Sequence, residues 1–205
     1  MLPQKPLFIC MLLLLSVQYL VMGQSKQLTE TTKWVISQNS NLCVNGSTNI
    51  NKFACEIPGY DKTDTLVFTK VKGNNEINLS GNIYLNVQSF DCHNIIMTND
   101  LRKTLNAKQY PKLHIRFLSL NSFPALTEKP QMITGVVDIE LAGVTKRFEV
   151  NYQVSQDSQK QIHLLGYRDV NFTDFNLVPP RKFGGMIRTD DKLSVAFHLR
   201  MKILD

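Results

Sequence analysis

Three observations predict an all-β, antiparallel fold: apolar and polar residues alternate strictly in stretch after stretch, several of these stretches are long, and only one short segment has helical spacing. Alternation at period two turns one face of a strand to a core and the other to water, as half-buried antiparallel sheets require.

The elements follow in chain order. Ile83, Leu85 and Val87 alternate with Tyr84, Asn86 and Gln88. Leu101 to Ala107 is the helical segment. Thr98-Asn99-Asp100 offer capping side chains before it, Leu101 and Leu105 share one face, and Pro111 returns the chain to extended backbone. Leu113, Ile115 and Phe117 then alternate with His114 and Arg116. Val137, Ile139 and Leu141 are separated by Asp138 and Glu140, while Phe148, Val150, Tyr152 and Val154 are separated by Glu149, Asn151 and Gln153. Between these two runs, Ala142-Gly143-Val144-Thr145 reads as a tight connection, so residues 136–154 form one long hairpin facing a single core. Ile162, Leu164 and Gly166 lead to Arg168 at period two, which puts its guanidinium on the inner face. A buried charge needs a partner, either a ligand head group or an acid on a neighbouring strand. The last run is the clearest: Leu193, Val195, Phe197, Leu199 and Met201 alternate with Ser194, Ala196, His198, Arg200 and Lys202.

A sandwich and a barrel both satisfy this pattern. Strands as long as 131–143 and 191–204 suit a tall barrel better, since twelve residues at ~3.3 Å each span roughly 40 Å. Closing removes exposed edges, and about eight strands enclose room for one small ligand.

Residues 1–23 read as a cleavable secretory signal. Lys5 is the positive charge, the apolar run from Leu7 to Met22 is broken only by Ser16, Gln18 and Tyr19, and Val21-Met22-Gly23 are compact at the cleavage positions. The run falls short of the ~20 apolar residues of a spanning helix, so no integral membrane span is expected after cleavage. Cys10 lies too early, after Phe8-Ile9, for a lipoprotein cysteine. Residues 24–32 are then an N-terminal extension and 33–204 one β domain, exported or secreted.

Lys+Arg number 23 against 17 Asp+Glu, for a net charge of +6, or +5 once Lys5 is removed. These basic residues are scattered without interleaved aromatics, which argues against a nucleic-acid face. Cys43, Cys55 and Cys92 remain after cleavage; two can pair in an oxidising compartment, and none has zinc-knuckle or redox spacing. Cys43 lacks a local electropositive setting and reads as inert. His93, His114, His163 and His198 lie on separate segments and read as scattered surface residues, so no metal site is expected. No nucleophile elbow or Ser-His-Asp order is present, which points away from an enzyme. Asp174, between Phe172 and Phe175, reads as a turn former. Asn45-Gly46-Ser47, Asn78-Leu79-Ser80 and Asn171-Phe172-Thr173 match glycosylation triplets, which also arise by chance.

A more specific likeness lies in the order of several motifs. Trp34-Val35-Ile36 with Asn39-Ser40-Asn41 comes first, and Asp100-Leu101 then leads to Tyr110-Pro111-Lys112-Leu113-His114-Ile115-Arg116-Phe117. Gly135-Val136-Val137-Asp138-Ile139-Glu140-Leu141-Ala142-Gly143-Val144-Thr145-Lys146 and Tyr167-Arg168-Asp169-Val170-Asn171-Phe172 follow. Over roughly residues 33–204 this order resembles the YceI-like family. The segments around Cys55 (49–55) and Cys92 (89–94) resemble a Bacteroidetes-type sub-group, and that resemblance implies a Cys55–Cys92 disulfide. It also implies a lipocalin-like extended barrel in the bacterial periplasm that holds a long apolar molecule, an isoprenoid lipid or a quinone-like relative, with no other cofactor; it leaves a homodimer open. The 58–80 connection and the loop from Pro179-Pro180 to Gly184-Gly185 are longer than in the simplest members.

On that implication the inward residues are the candidate ligand contacts: Ile83, Leu85, Val87, Leu113, Ile115, Phe117, Val137, Ile139, Leu141, Phe148, Val150, Tyr152, Arg168, Leu193, Val195, Phe197 and Leu199. Each of these also fits a solid core, since small barrels are commonly filled by side chains.

Overall fold

The alternating stretches join into one closed ring of strands. A computed structural model describes residues 29–71 and 76–204; the expected signal segment lies outside them. In chain order the strands are β1 (Thr29–Ile36), β2 (Asn41–Ser47), β3 (Lys52–Ile57), β4 (Thr65–Val71), β5 (Ile77–Asn86), β6 (Lys112–Leu120), β7 (Gln131–Leu141), β8 (Val144–Gln156), β9 (Ile162–Asn171), the short pair β10 (Arg181–Lys182) and β11 (Ile187–Arg188), and β12 (Lys192–Leu204). The ring runs β1-β4-β5-β6-β7-β8-β9-β12, and β12 returns to β1 from Lys33↔Leu204 to Ile36↔Met201. This closed, eight-stranded antiparallel barrel settles the choice between sandwich and barrel.

The first strand does not span the full height of the wall. Residues 37–40 turn the chain, with buried Ser40 donating its hydroxyl to the Ser37 carbonyl (2.8 Å) and accepting the Arg200 N–H (3.0 Å). The chain resumes as β2, which takes over the same edge of β12 from His198↔Asn41 to Ser194↔Asn45 and folds back as β3. Beyond β3 the wall is fastened covalently. The Cys55–Cys92 disulfide is present, and Glu56 and Asp91 form a backbone bridge beside it.

Two local readings are corrected. The helix, α1, is Ile95–Thr104 rather than Leu101–Ala107; its cap is Asn94, whose side chain accepts from Ile96 and Met97 N–H, and not Thr98-Asn99-Asp100. Thr98 is instead buried, with its hydroxyl oxygen accepting the Cys92 N–H, so the disulfide segment and the helix start are one unit. The 58–80 segment, expected as a connection, holds β4 and the start of β5. The β7–β8 turn matches expectation. Ala142 and Gly143 both have positive φ (51° and 80°), as a two-residue hairpin loop that follows strand twist requires.

The barrel has two unlike ends. At the base, around Leu204, Trp34, Leu66, Phe68, Ile77, Leu120, Ile162 and Met201 are fully buried, and the Trp34 and Phe68 rings sit 4.1 Å apart. The other end carries the β7–β8 turn and is overlaid by α1; it is called the capped end below.

Candidate ligand site at the capped end

Inward parity puts side chains inside the barrel without saying how full the interior is. At the capped end it is not full. An apolar cavity of about 80 Å³ is lined by Leu42, Val44, Phe90, Leu101, Leu105, Leu113, Ile115, Val137, Ile139, Leu141, Val150, Arg168, Val170, Phe175, Leu193, Val195 and Phe197. Val44, Ile139, Leu141, Val195 and Phe197 point inward yet are only half-buried, because the space beside them is open. A second space of about 20 Å³ lies deeper, against Ile83, Leu85, Phe117 and Leu199, with Ser40, Asn41 and Tyr60 at its side. Leu42, Ile115 and Phe197 line both spaces and so stand between them. Phe197 occupies this position because Gly166 faces it: a Cβ on Gly166 would lie 2.2 Å from the Phe197 ring, so only glycine leaves room for it.

Of the residues expected inside, Leu113, Ile115, Val137, Ile139, Leu141, Val150, Arg168, Leu193, Val195 and Phe197 line the main cavity, and Ile83, Leu85, Phe117 and Leu199 the smaller one. Val87, Phe148 and Tyr152 line neither. Val87 is buried in a 3-10 turn, Phe148 packs its ring against Phe175 at 5.9 Å, and Tyr152 packs edge-on to Phe197 at 5.9 Å. The Tyr152 hydroxyl is buried without a hydrogen-bond partner among the described residues, and burial pushes its pKa above the ordinary tyrosine value.

Arg168 is a correction. Its guanidinium is not buried but exposed at the rim, donating to the Glu149 carbonyl (3.1 Å) and lying 5.4 Å from the centre of the Phe148 ring. Parity fails there because β9 parts from β8 after Asn151↔Tyr167 while staying paired with β12 to Asn171, so the long Arg168 side chain reaches water on the side that β8 no longer covers. Its partners within the protein are a carbonyl and a ring face rather than an acid on a neighbouring strand.

Seven residues that line the main cavity lay outside the sequence-derived candidates. Leu42 and Val44 alternate with Cys43, a signal too short to stand out beside the longer runs, and Val170 continues the parity of Arg168. Leu101 and Leu105 do share one face, and that face covers the cavity. Phe90 and Phe175 sit in or beside 3-10 turns, where no period betrays them.

The histidines are less scattered than expected. His163 and His198 meet across β9 and β12 at 2.9 Å, and the other nitrogen of His163 lies 3.1 Å from Asp157. Burial first, then the charges of Arg200 and His163, pushes the His198 pKa down to about 4. His114 stacks on Tyr84 at 4.3 Å and His93 pairs with Glu56 at 3.2 Å. Among the described residues no three His, Cys, Asp or Glu converge as metal ligands. On the outer wall Asp138 is held down to about 2 by hydrogen bonds from Arg147 and Arg116. Cys43 is half-buried and burial raises its pKa, which suppresses the thiolate. Asp174 accepts the Asn171 N–H (2.7 Å), the turn-forming role expected of it.

No helix among the described residues is long and apolar enough to cross a membrane. No family model matches the chain, and no curated protein matches it. Solved structures do. A polyisoprenoid binding domain from Saccharophagus degradans, implicated in plant cell wall breakdown, superposes with a TM-score of 0.60 at 11% identity, covering 82% of this chain and 97% of that one. Burkholderia cenocepacia BcnA superposes with a TM-score of 0.58 at 15% identity, covering 78% of this chain and 95% of that one. The chain thus shares the closed antiparallel barrel of these two proteins over nearly their whole length.

Proposed function

We propose that this is an exported YceI-like protein that holds an apolar, isoprenoid-type lipid in the capped end of its barrel, as a carrier or buffer. The observation that carries the reading is the lining of the cavity. Every side chain around it is apolar except Arg168, whose charge lies outside in water. The S. degradans likeness supports the ligand class, and the disulfide suits an oxidising compartment. Binding of this kind uses apolar area removed from water, about 25 cal/mol per Å², and takes no catalytic residue.

The cavity is small for such a cargo, since pockets that enclose a drug-sized ligand run from about 300 Å³ upward. Loading therefore widens the interior. Phe197, between the two spaces, and Leu101, on the helix over the mouth, are the side chains placed to yield. The same small volume favours a second reading, a ligand-free envelope protein that acts through its outer surface. Native mass spectrometry of the purified protein, before and after solvent extraction, separates them. The carrier emerges with an extractable apolar molecule or takes up a polyprenol from detergent; a bare protein that takes up none leaves only the second reading.

A further inference from the structure

The rim of the capped end carries a built surface that lipid storage does not explain. The chain between Phe175 and β12 forms a small hairpin, β10–β11, whose tip is Phe183-Gly184-Gly185-Met186. Phe183 is 76% exposed and Met186 77%; Ile50, at the β2–β3 tip, is 66% exposed and Ile96, in the first turn of α1, 65%. Large apolar side chains gathered at one end of a protein mark an interaction site.

This surface is held in shape. Asn49 donates to the Met186 carbonyl and accepts the Arg188 N–H, both at 2.9 Å, so the two hairpin tips are tied together. The Arg188 side chain donates to the Gly185 carbonyl at 2.9 Å. Lys182 pairs with Asp100 at 2.6 Å, fixing the hairpin to the helix. Gly184 and Gly185 have positive φ, and a Cβ on either would meet nothing within 4 Å, so the tip stands free of the body. Behind it a groove of about 520 Å³ runs past Ile50, Phe53, Ile96, Met97 and Phe183 to Leu101, which also lines the inner cavity.

We propose that this end docks on an anionic membrane surface, with Phe183, Met186, Ile50 and Ile96 entering the headgroup layer and the groove behind them opening toward acyl chains. Charge decides between a membrane and a protein partner. Arg181 and Arg188 flank the tip and Lys52 follows the β2–β3 turn, all exposed; of the acids beside them, Asp100 is paired with Lys182, and Asp190 accepts the Ser47 hydroxyl at 2.6 Å and keeps its charge, so these basic side chains outnumber the acids. A free-standing apolar tip between basic shoulders suits an interface with apolar depth and negative headgroups. The inference deepens the lipid-carrier reading by naming where cargo is exchanged, but docking itself requires no cargo.

The test uses delipidated protein and vesicles of phosphatidylcholine with or without phosphatidylglycerol. A Phe183→Trp variant reports insertion directly. Its added emission is expected to shift to the blue on vesicles containing phosphatidylglycerol and to be quenched by brominated acyl chains, while Trp34, buried at the base, stays unquenched. A Phe183→Ser/Met186→Ser variant loses vesicle affinity about tenfold, and Arg181→Gln/Lys52→Gln loses the preference for phosphatidylglycerol. Retention of the wild-type thermal midpoint shows that these exposed changes leave the barrel folded. No quenching of the added tryptophan, equal flotation of wild type and the Phe183→Ser/Met186→Ser variant, or a tip that responds to a protein partner but not to vesicles, overturns the proposal. Because cargo is absent throughout, its failure is separate from a failure to find bound lipid.

Discussion

The base and the capped end of this barrel are built from the same strands with the same alternation, yet they do opposite things with it. At the base, Trp34, Phe68, Leu66, Ile77, Leu120 and Met201 leave no water-accessible surface to speak of, and Phe123 closes the Trp34–Phe68 pair edge-on at 6.0 and 5.8 Å. At the capped end the inward residues are mid-sized aliphatics, mostly Val, Leu and Ile, roofed by one helix, and they leave a cavity. Alternation decides only which side of the wall a residue faces. Side-chain volume across the barrel decides whether that inside is a core or a container. Stability therefore resides mainly at the base and adaptability at the cap.

The largest effect that can break this comparison is at the base. Trp34→Ala is expected to cost about 3–5 kcal/mol in urea unfolding, whereas Leu101→Ala, beside the cavity, costs less than about 2 kcal/mol. Equal losses would mean that the two ends are packed alike. Next is the covalent tie between wall and helix. Cys55→Ser/Cys92→Ser is expected to lose about 2–4 kcal/mol, and hydrogen exchange should quicken through 95–104 well before 66–68; uniform quickening would contradict a separable cap. The smallest effect comes from His198. Its folded pKa of about 4 lies below the ordinary histidine value of 6.5, so between these values the unfolded chain binds a proton that the folded chain does not. Its contribution to stability is complete above about pH 6.5 and is lost as pH falls toward about 4. Asp157, whose pKa is lowered chiefly by the His163 hydrogen bond, adds a loss of the same sign at lower pH. His198→Gln should flatten the fall in urea midpoint between pH 7 and pH 5; an unchanged slope would remove His198 as its source.

Much of the fold was legible because half-buried strands write their geometry as a period of two: Leu193 to Met201 and Val137 to Val154 fall as that period requires. The helix boundary was not, since its cap depends on Asn94 following the disulfide and on Thr98 being drawn inward to Cys92, both long-range consequences of closure. Arg168 fits the inward period but follows directly on the last β8–β9 pair, and a period does not say where two strands part. Phe90 and Phe175 reach the cavity from turns that have no period at all. The His163–His198 contact joins residues 35 apart in sequence and depends on the β9–β12 register.

The central claim, that the capped end receives an apolar ligand and the base does not, is tested most directly by titrating methyl-labelled protein with a short polyprenol and following Ile, Leu and Val methyl resonances. Shifts concentrated at Leu101, Leu113, Ile139, Leu141, Leu193 and Val195, with Leu66, Ile77, Leu120 and Ile162 unmoved, are the predicted result. Shifts spread over both ends, or none at saturating polyprenol, would contradict it.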